Sequence, residues 1–202
     1  MNDDTRINWK YEGKPDFVNG TGAYFEEKML GYGASLIIPA FLLSFIATGQ
    51  VDWNPLQIAI TLLLAFDVGG GVISNSLNSG KRFYHSPVKA EEGRLGKVLK
   101  NKWLFSLLHV HPIVVYALFD FAGVWQGILW YGLFLASTAT VITAPLYLKR
   151  PLAMLILTVV ILLNFYIIAS VPGFEWLMPL LFLKIIYGHL VKEEPYRKTK
   201  RL

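Results

Sequence analysis

Val124–Leu148 reads VWQGILWYGLFLASTATVITAPLYL, 25 residues without an acidic or basic side chain. A bilayer core about 30 Å thick is crossed by roughly 20 residues rising about 1.5 Å each, so this stretch is long enough to span a membrane. Leu30–Thr48 (19 residues), Trp103–Phe119 (17) and Pro151–Val171 (21) are uncharged in the same way. Pro55–Ser79 qualifies but for Asp67, and Phe174–Val191 but for Glu175 at its rim and Lys184. The chain has 202 residues, 54% of them hydrophobic, and a mean hydropathy of +0.44. Six spans use most of that length and leave no room for a separate soluble catalytic domain. The expected fold is all-α, with six transmembrane helices at about 30–48, 55–79, 103–119, 124–148, 151–171 and 174–191. Segment 1–29 precedes them, a basic loop 80–102 interrupts them and a basic tail 192–202 follows.

The 19 Lys and Arg residues fall on one side of that reading. Arg6, Lys10, Lys14 and Lys28 precede the first span. Lys81, Arg82, Lys89, Arg94, Lys97, Lys100 and Lys102 follow the second, and Lys149 and Arg150 follow the fourth. Lys192, Arg197, Lys198, Lys200 and Arg201 form the tail, with Lys184 near the inner end of the last span. The turns Gly49–Asn54, Asp120–Gly123 and Pro172–Gly173 contain none. Basic short loops stay cytoplasmic, so both termini are expected inside, in a multi-pass protein of the inner or plasma membrane. The net charge of +5 then reflects orientation and affinity for anionic membrane lipids rather than nucleic acid. Asp3, Asp4, Asp16, Glu26 and Glu27 make the first 29 residues unlike a cleavable signal peptide. Asn19-Gly20-Thr21 fits a glycosylation sequon that this topology leaves unused.

The outer turns are short, so the spans are expected to pair as three antiparallel hairpins. Trp53, Trp125 and Trp176 outside, with Trp103 and Tyr147 inside, suit interface anchors. Gly132, Ala136, Thr140 and Ala144 recur every four residues, a stripe that admits close approach of another helix, within the protomer or across a homodimer. Pro39 and Pro112 are expected to kink their spans. Three spans followed by three also match the arithmetic of inverted repeats, although no motif recurs between the halves.

The most unusual stretch is Asp67–His85, DVGGGVISNSLNSGKRFYH. Asp67 lies twelve residues into the second span, about 18 Å along it and just past the midplane. A carboxylate there costs about 2.5–3.5 kcal/mol unless it faces the bundle interior. In a continuous helix Asp67, Gly71, Ser74, Asn75 and Asn78 share one face, with Arg82 extending it. Such a stripe is either a polar packing seam or a site with Lys81 and Arg82 at its mouth. Gly69, Gly70 and Gly71 permit close helix contact or local unwinding. His109 and His111 lie about 9 and 12 Å into the third span. Two residues apart on a regular helix they point in different directions, so one of them is expected to face Asp67. Lys184 either snorkels to the interface or partners Asp67 or an anionic group. Asn164 is expected in a helix–helix hydrogen bond.

Asp67 and His109 are therefore the candidate catalytic or proton-exchanging pair. Ser74, Asn75, Asn78, Lys81, Arg82, His85 and Lys184 are the candidate ligand-binding residues. An alternative metal set is Asp67, His109, His111 and His189, since three such ligands and a water suffice for zinc. No cysteine is present, and no H-E-x-x-H, Walker loop, G-x-S-x-G elbow or aspartate-rich pair occurs, so no cofactor is specified. All these groups fall in the cytoplasmic half. The expected function is a polar intramembrane site for a lipid-like or small anionic ligand, transporter-like or lipid-handling. The competing readings are an intramembrane metal-dependent hydrolase and a scaffold without chemistry.

Overall fold

The computed structural model describes residues 5–198 and is mostly helical, at 69%. Asp3, Asp4, Lys200 and Arg201, counted in the charge pattern above, lie outside the described residues. The elements follow as β1 (Thr5–Ile7), α1 (Phe25–Ala47), α2 (Pro55–Ser74), α3 (Asn78–Tyr84), α4 (Gly93–Lys100), α5 (Lys102–Leu107), α6 (His111–Phe119), α7 (Val124–Thr143), α8 (Leu146–Tyr166), α9 (Leu177–Phe182) and β2 (Tyr196–Lys198). A π-helical segment, Leu183–His189, continues α9.

Among the described residues, five helical stretches are long and apolar enough to cross a membrane: Phe25–Ala47, Pro55–Ser74, Lys102–Phe119, Phe121–Thr143 and Leu146–Tyr166. The sixth apolar helix, Leu177–His189, is shorter. It is also the most enclosed. Leu177, Leu181, Phe182, Ile185 and Ile186 are fully buried, and α2, α7 and α8 pack around it. A helix that is apolar on every side belongs in the centre of a bundle.

Several expected boundaries shift for local reasons. Asn54 caps α2 reciprocally with Gln57, and Pro55 takes the first turn, where its missing N–H costs nothing. α2 ends at Ser74 rather than 79. Leu77 is extended, and Asn78 opens α3, so the polar stripe does not continue past Asn75. The third span is broken, since Leu108–Val110 separates α5 from α6. Pro112 therefore starts a helix instead of kinking one. Pro39 lies inside a continuous α1. α7 stops at Thr143, and Lys149 and Arg150 belong to the first turns of α8 rather than to a loop. The Lys149 ammonium reaches back to the Ile142 carbonyl at 2.8 Å, a cation at a helix C-terminus. Gly132, Ala136 and Thr140 are exposed and Ala144 partly buried, so most of the small-residue stripe faces away from the protomer core. Asn164 donates to the Glu175 carbonyl at 2.9 Å and pins the loop before α9.

The first and last described elements meet. β1 and β2 pair antiparallel, with Thr5 opposite Lys198 and Ile7 opposite Tyr196. Between β1 and α1 the chain forms a strap over the bundle end carrying α3 and α4. Tyr11 donates to Glu92 at 2.7 Å, and Lys100 contacts both. Burial and the Glu92 charge push the Tyr11 phenol up. Burial alone would raise Glu92, but hydrogen bonds from Lys100, the Lys89 N–H and Tyr11 hold it below the usual carboxylate range. Ser79 donates to the Asn19 carbonyl at 2.6 Å, and Phe17 packs edge-on to Phe83. Asn19 and Thr21 are buried, which by itself closes the sequon to a glycan.

Lys81 joins α3 to the central helix. Its buried ammonium donates to the Gly188 carbonyl at 2.6 Å and the Val191 carbonyl at 2.9 Å, with Glu193 at 3.3 Å. Lys81→Met leaves two buried carbonyls unpaired and should cost about 2 kcal/mol, read as a lower thermal midpoint in mild detergent.

Candidate functional site

The middle of α2 supplies Asp67, the π-helical segment Lys184, and the first turn of α6 His111. The Lys184 ammonium donates to Asp67 Oδ2 at 2.6 Å, and His111 Nε2 lies 3.2 Å from the same oxygen. Lys184 did not need to snorkel, because it has its counter-charge in the bundle. The Lys184 and His111 side chains are 4% and 13% exposed, whereas that of Asp67 is 53% exposed. The cluster thus has a closed side, where Lys184 and His111 sit, and an open side, where the carboxylate sits.

Local backbone explains the geometry. A side chain at Gly71 would overlap the Lys184 stem, so glycine lets that stem lie flat across α2. At Gly70 a Cβ would stand 2.7 Å from the Ser35 Cβ of α1, so the glycine run serves close helix contact and α2 stays wound through it. Asn75 donates to the Lys184 carbonyl at 3.1 Å and holds the π-helical segment against α2. That segment carries an i→i+5 hydrogen bond from Leu190 N to the Ile185 carbonyl at 2.9 Å. Single π turns of this kind recur at functional sites.

The break at Leu108–Val110 brings both histidines to one side, which a regular helix would not. Their rings lie 5.1 Å apart. His109 is buried, and its Nδ1 sits 2.7 Å from the Phe105 carbonyl, which requires the proton on that nitrogen. His109 therefore supports His111 and does not touch Asp67. His189 is buried between the rings of Tyr84 and Phe105, at 4.5 and 4.3 Å, with neither nitrogen hydrogen-bonded. Among the described residues no three His, Asp or Glu side chains gather closely enough to hold a metal ion. The set Asp67, His109, His111 and His189 does not converge on one point.

A cavity of about 260 Å³ opens beside Asp67. Tyr32 and Ser35 of α1, Asp67, Gly71 and Ser74 of α2, Asn75 just after it, Tyr84 of α3, Phe105 of α5 and Lys184 line it, with Phe17 and Val18 of the strap at one end. Of the residues expected at the site, Asp67, Ser74, Asn75 and Lys184 are brought together. Asn78, Lys81, Arg82 and His85 are not. Asn78 accepts from the Tyr196 N–H at 2.8 Å, and Arg82, fully buried, donates to the Tyr196 carbonyl at 3.1 Å. They hold the C-terminal strand rather than forming a mouth. Tyr32, Ser35 and the strap residues were missed, because nothing in their spacing ties α1 or the N-terminal segment to Asp67. The adjacent apolar Phe17-Val18 pair in the N-terminal segment is a signal that could have found the strap.

The chain matches no protein family, no curated protein and no solved structure.

His85, outside the spans at the end of α3, is pushed down to about 3, first by burial and then by Lys102, Lys81, Lys192 and Lys149. The unfolded chain takes up this proton below about pH 6.5 while the folded protein does not. Its contribution to stability is full above pH 6.5 and falls as the pH drops toward 3. His85→Gln should flatten the fall of the thermal midpoint between pH 6.5 and 5 by at most about 1.4 kcal/mol per pH unit.

Proposed function

We propose that the chain is a multi-pass cell-membrane protein whose Asp67–Lys184–His111 cluster is the polar floor of a site for a lipid-like or small anionic ligand, in a transporter-like or lipid-handling role. The observation that carries this reading is the half-exposed carboxylate with the Lys184 ammonium and the His111 ring nitrogen on one oxygen, at mid-depth of an apolar helix. A packing seam would bury all three groups. Here one carboxylate oxygen is occupied and the open side of Asp67 meets the cavity, where a ligand donor can reach it.

Six crossings with both ends inside fit this reading. Two termini that pair as strands lie on one side of any membrane, which requires an even number of crossings. Five long helices and one short central helix satisfy that parity as three hairpins. The sixth is short for a bilayer core of about 30 Å, but protein surrounds it, and irregular backbone at membrane depth is tolerated there. The cysteine-free chain allows a direct check. Gln50→Cys should react with an impermeant thiol reagent from outside only, and Lys97→Cys from inside only. Reaction of both from one face would overturn the topology.

The metal-dependent hydrolase gains nothing from the geometry, and the scaffold reading is separable by experiment. Asp67→Leu strands the buried Lys184 ammonium and should cost about 3 kcal/mol. Asp67→Leu with Lys184→Met removes both charges and should recover most of that loss. Native mass spectrometry of protein purified in mild detergent should find a bound amphiphile in the wild type and none in the folded double variant. A double variant that keeps the amphiphile leaves only the scaffold.

A further inference from the structure

The cavity beside Asp67 is open on one side, and the structure indicates which. On the basic side the strap closes it: Phe17 and Val18 line its end, the Tyr84 hydroxyl donates to the Phe17 carbonyl at 3.5 Å, and Ser79 holds Asn19. On the flank nothing comparable closes it. The close packing of α1 is on α2, and the cavity lies between Tyr32 and Ser35 of α1 and the Phe105 of α5 and Leu99 of α4 that also line it. The rim there is exposed and apolar, with Tyr32 at 46% and Phe66 at 45%. A polar cluster behind an apolar rim at the mid-depth of the spans faces hydrocarbon, not water.

Resting on the proposed site, we infer that its ligand is a membrane-resident single-chain amphiphile that enters sideways from the bilayer through the gap between α1 and α5. The size of the cavity agrees. About 260 Å³ is below the range of roughly 300–1,000 Å³ for sites that enclose a drug-sized molecule. It takes a head group and the first carbons of a chain, and leaves the rest of the chain in the bilayer beside Tyr32 and Phe66. The head carries a hydrogen-bond donor for Asp67 or an acceptor for Lys184, and the aromatic faces of Tyr84 and Phe105 flank it. A small water-soluble anion, the other ligand class of the proposed site, would need the end that the strap closes.

The absence of native cysteine makes access measurable. In proteoliposomes, Phe105→Cys places the only thiol in the cavity wall, away from the charged cluster, and Lys97→Cys is the exposed control. The Phe105→Cys thiol should react with N-(1-pyrenyl)maleimide dissolved in the bilayer, and at least tenfold more slowly than the control with a charged methanethiosulfonate applied to both faces. Co-reconstituted lauric acid should slow the pyrene reaction in this protein and not in the control. Equal reaction of both thiols with the charged reagent means that access is through water. Lateral entry is then wrong, while the site for a soluble anion stands. Reaction with neither reagent, in protein whose thermal midpoint matches wild type, means that no accessible cavity exists, and the lateral route and the proposed site fall together.

Discussion

The ion pair between Asp67 and Lys184 joins two helices that the rest of the bundle is arranged around. At 2.6 Å it is short and charge-assisted, and it ties the middle of α2 to the central helix. Each charge makes the other tolerable, and much of the surrounding sequence serves that contact. Gly71 clears a path for the lysine stem, Asn75 holds the lysine carbonyl, and the π turn re-aims the end of the helix. His111 then adds a second donor that the broken third span delivers to the same oxygen. An ion pair kept only for stability could be replaced by apolar side chains at little loss. Retaining one whose carboxylate is open on one side has a physical rationale only if something reaches that side.

Long uncharged runs made the helices legible, because periodicity and length are set by the bilayer itself. Their ends were less legible. Asn75 and Leu77 stop α2 through tertiary contacts with the central helix and a turn into α3, neither of which has a signature in spacing. Pro112 was visible, but whether a proline kinks a helix or starts one depends on whether the preceding residues are helical, and Leu108–Val110 are not.

The site was half legible. Asp67, Ser74, Asn75 and Lys184, which stand out because a charge or a polar run inside an apolar span is costly, line one cavity. Lys81 and Arg82 misled for the same reason that they are useful. Basic residues at the inner end of a span look like a mouth for anions, yet both side chains are buried and spent on backbone carbonyls of the C-terminal region. Whether a cation next to a membrane span recognises a ligand or caps a helix depends on where carbonyls end up, and that is a property of the fold.

The distribution of contacts gives the site a direction. α2, α7 and α8 enclose the central helix, and the strap with β1–β2 fastens the basic end. α1 packs closely on α2, through the smooth face made by Gly69 and Gly70, and its first turn is tied to α3 and β2 by Glu27 and Glu26. α1 carries neither charge of the Asp67–Lys184 pair, so it borders the cluster without taking part in it. The bundle thus combines an enclosed polar centre with one wall, α1, that borders the cavity beside the exposed carboxylate.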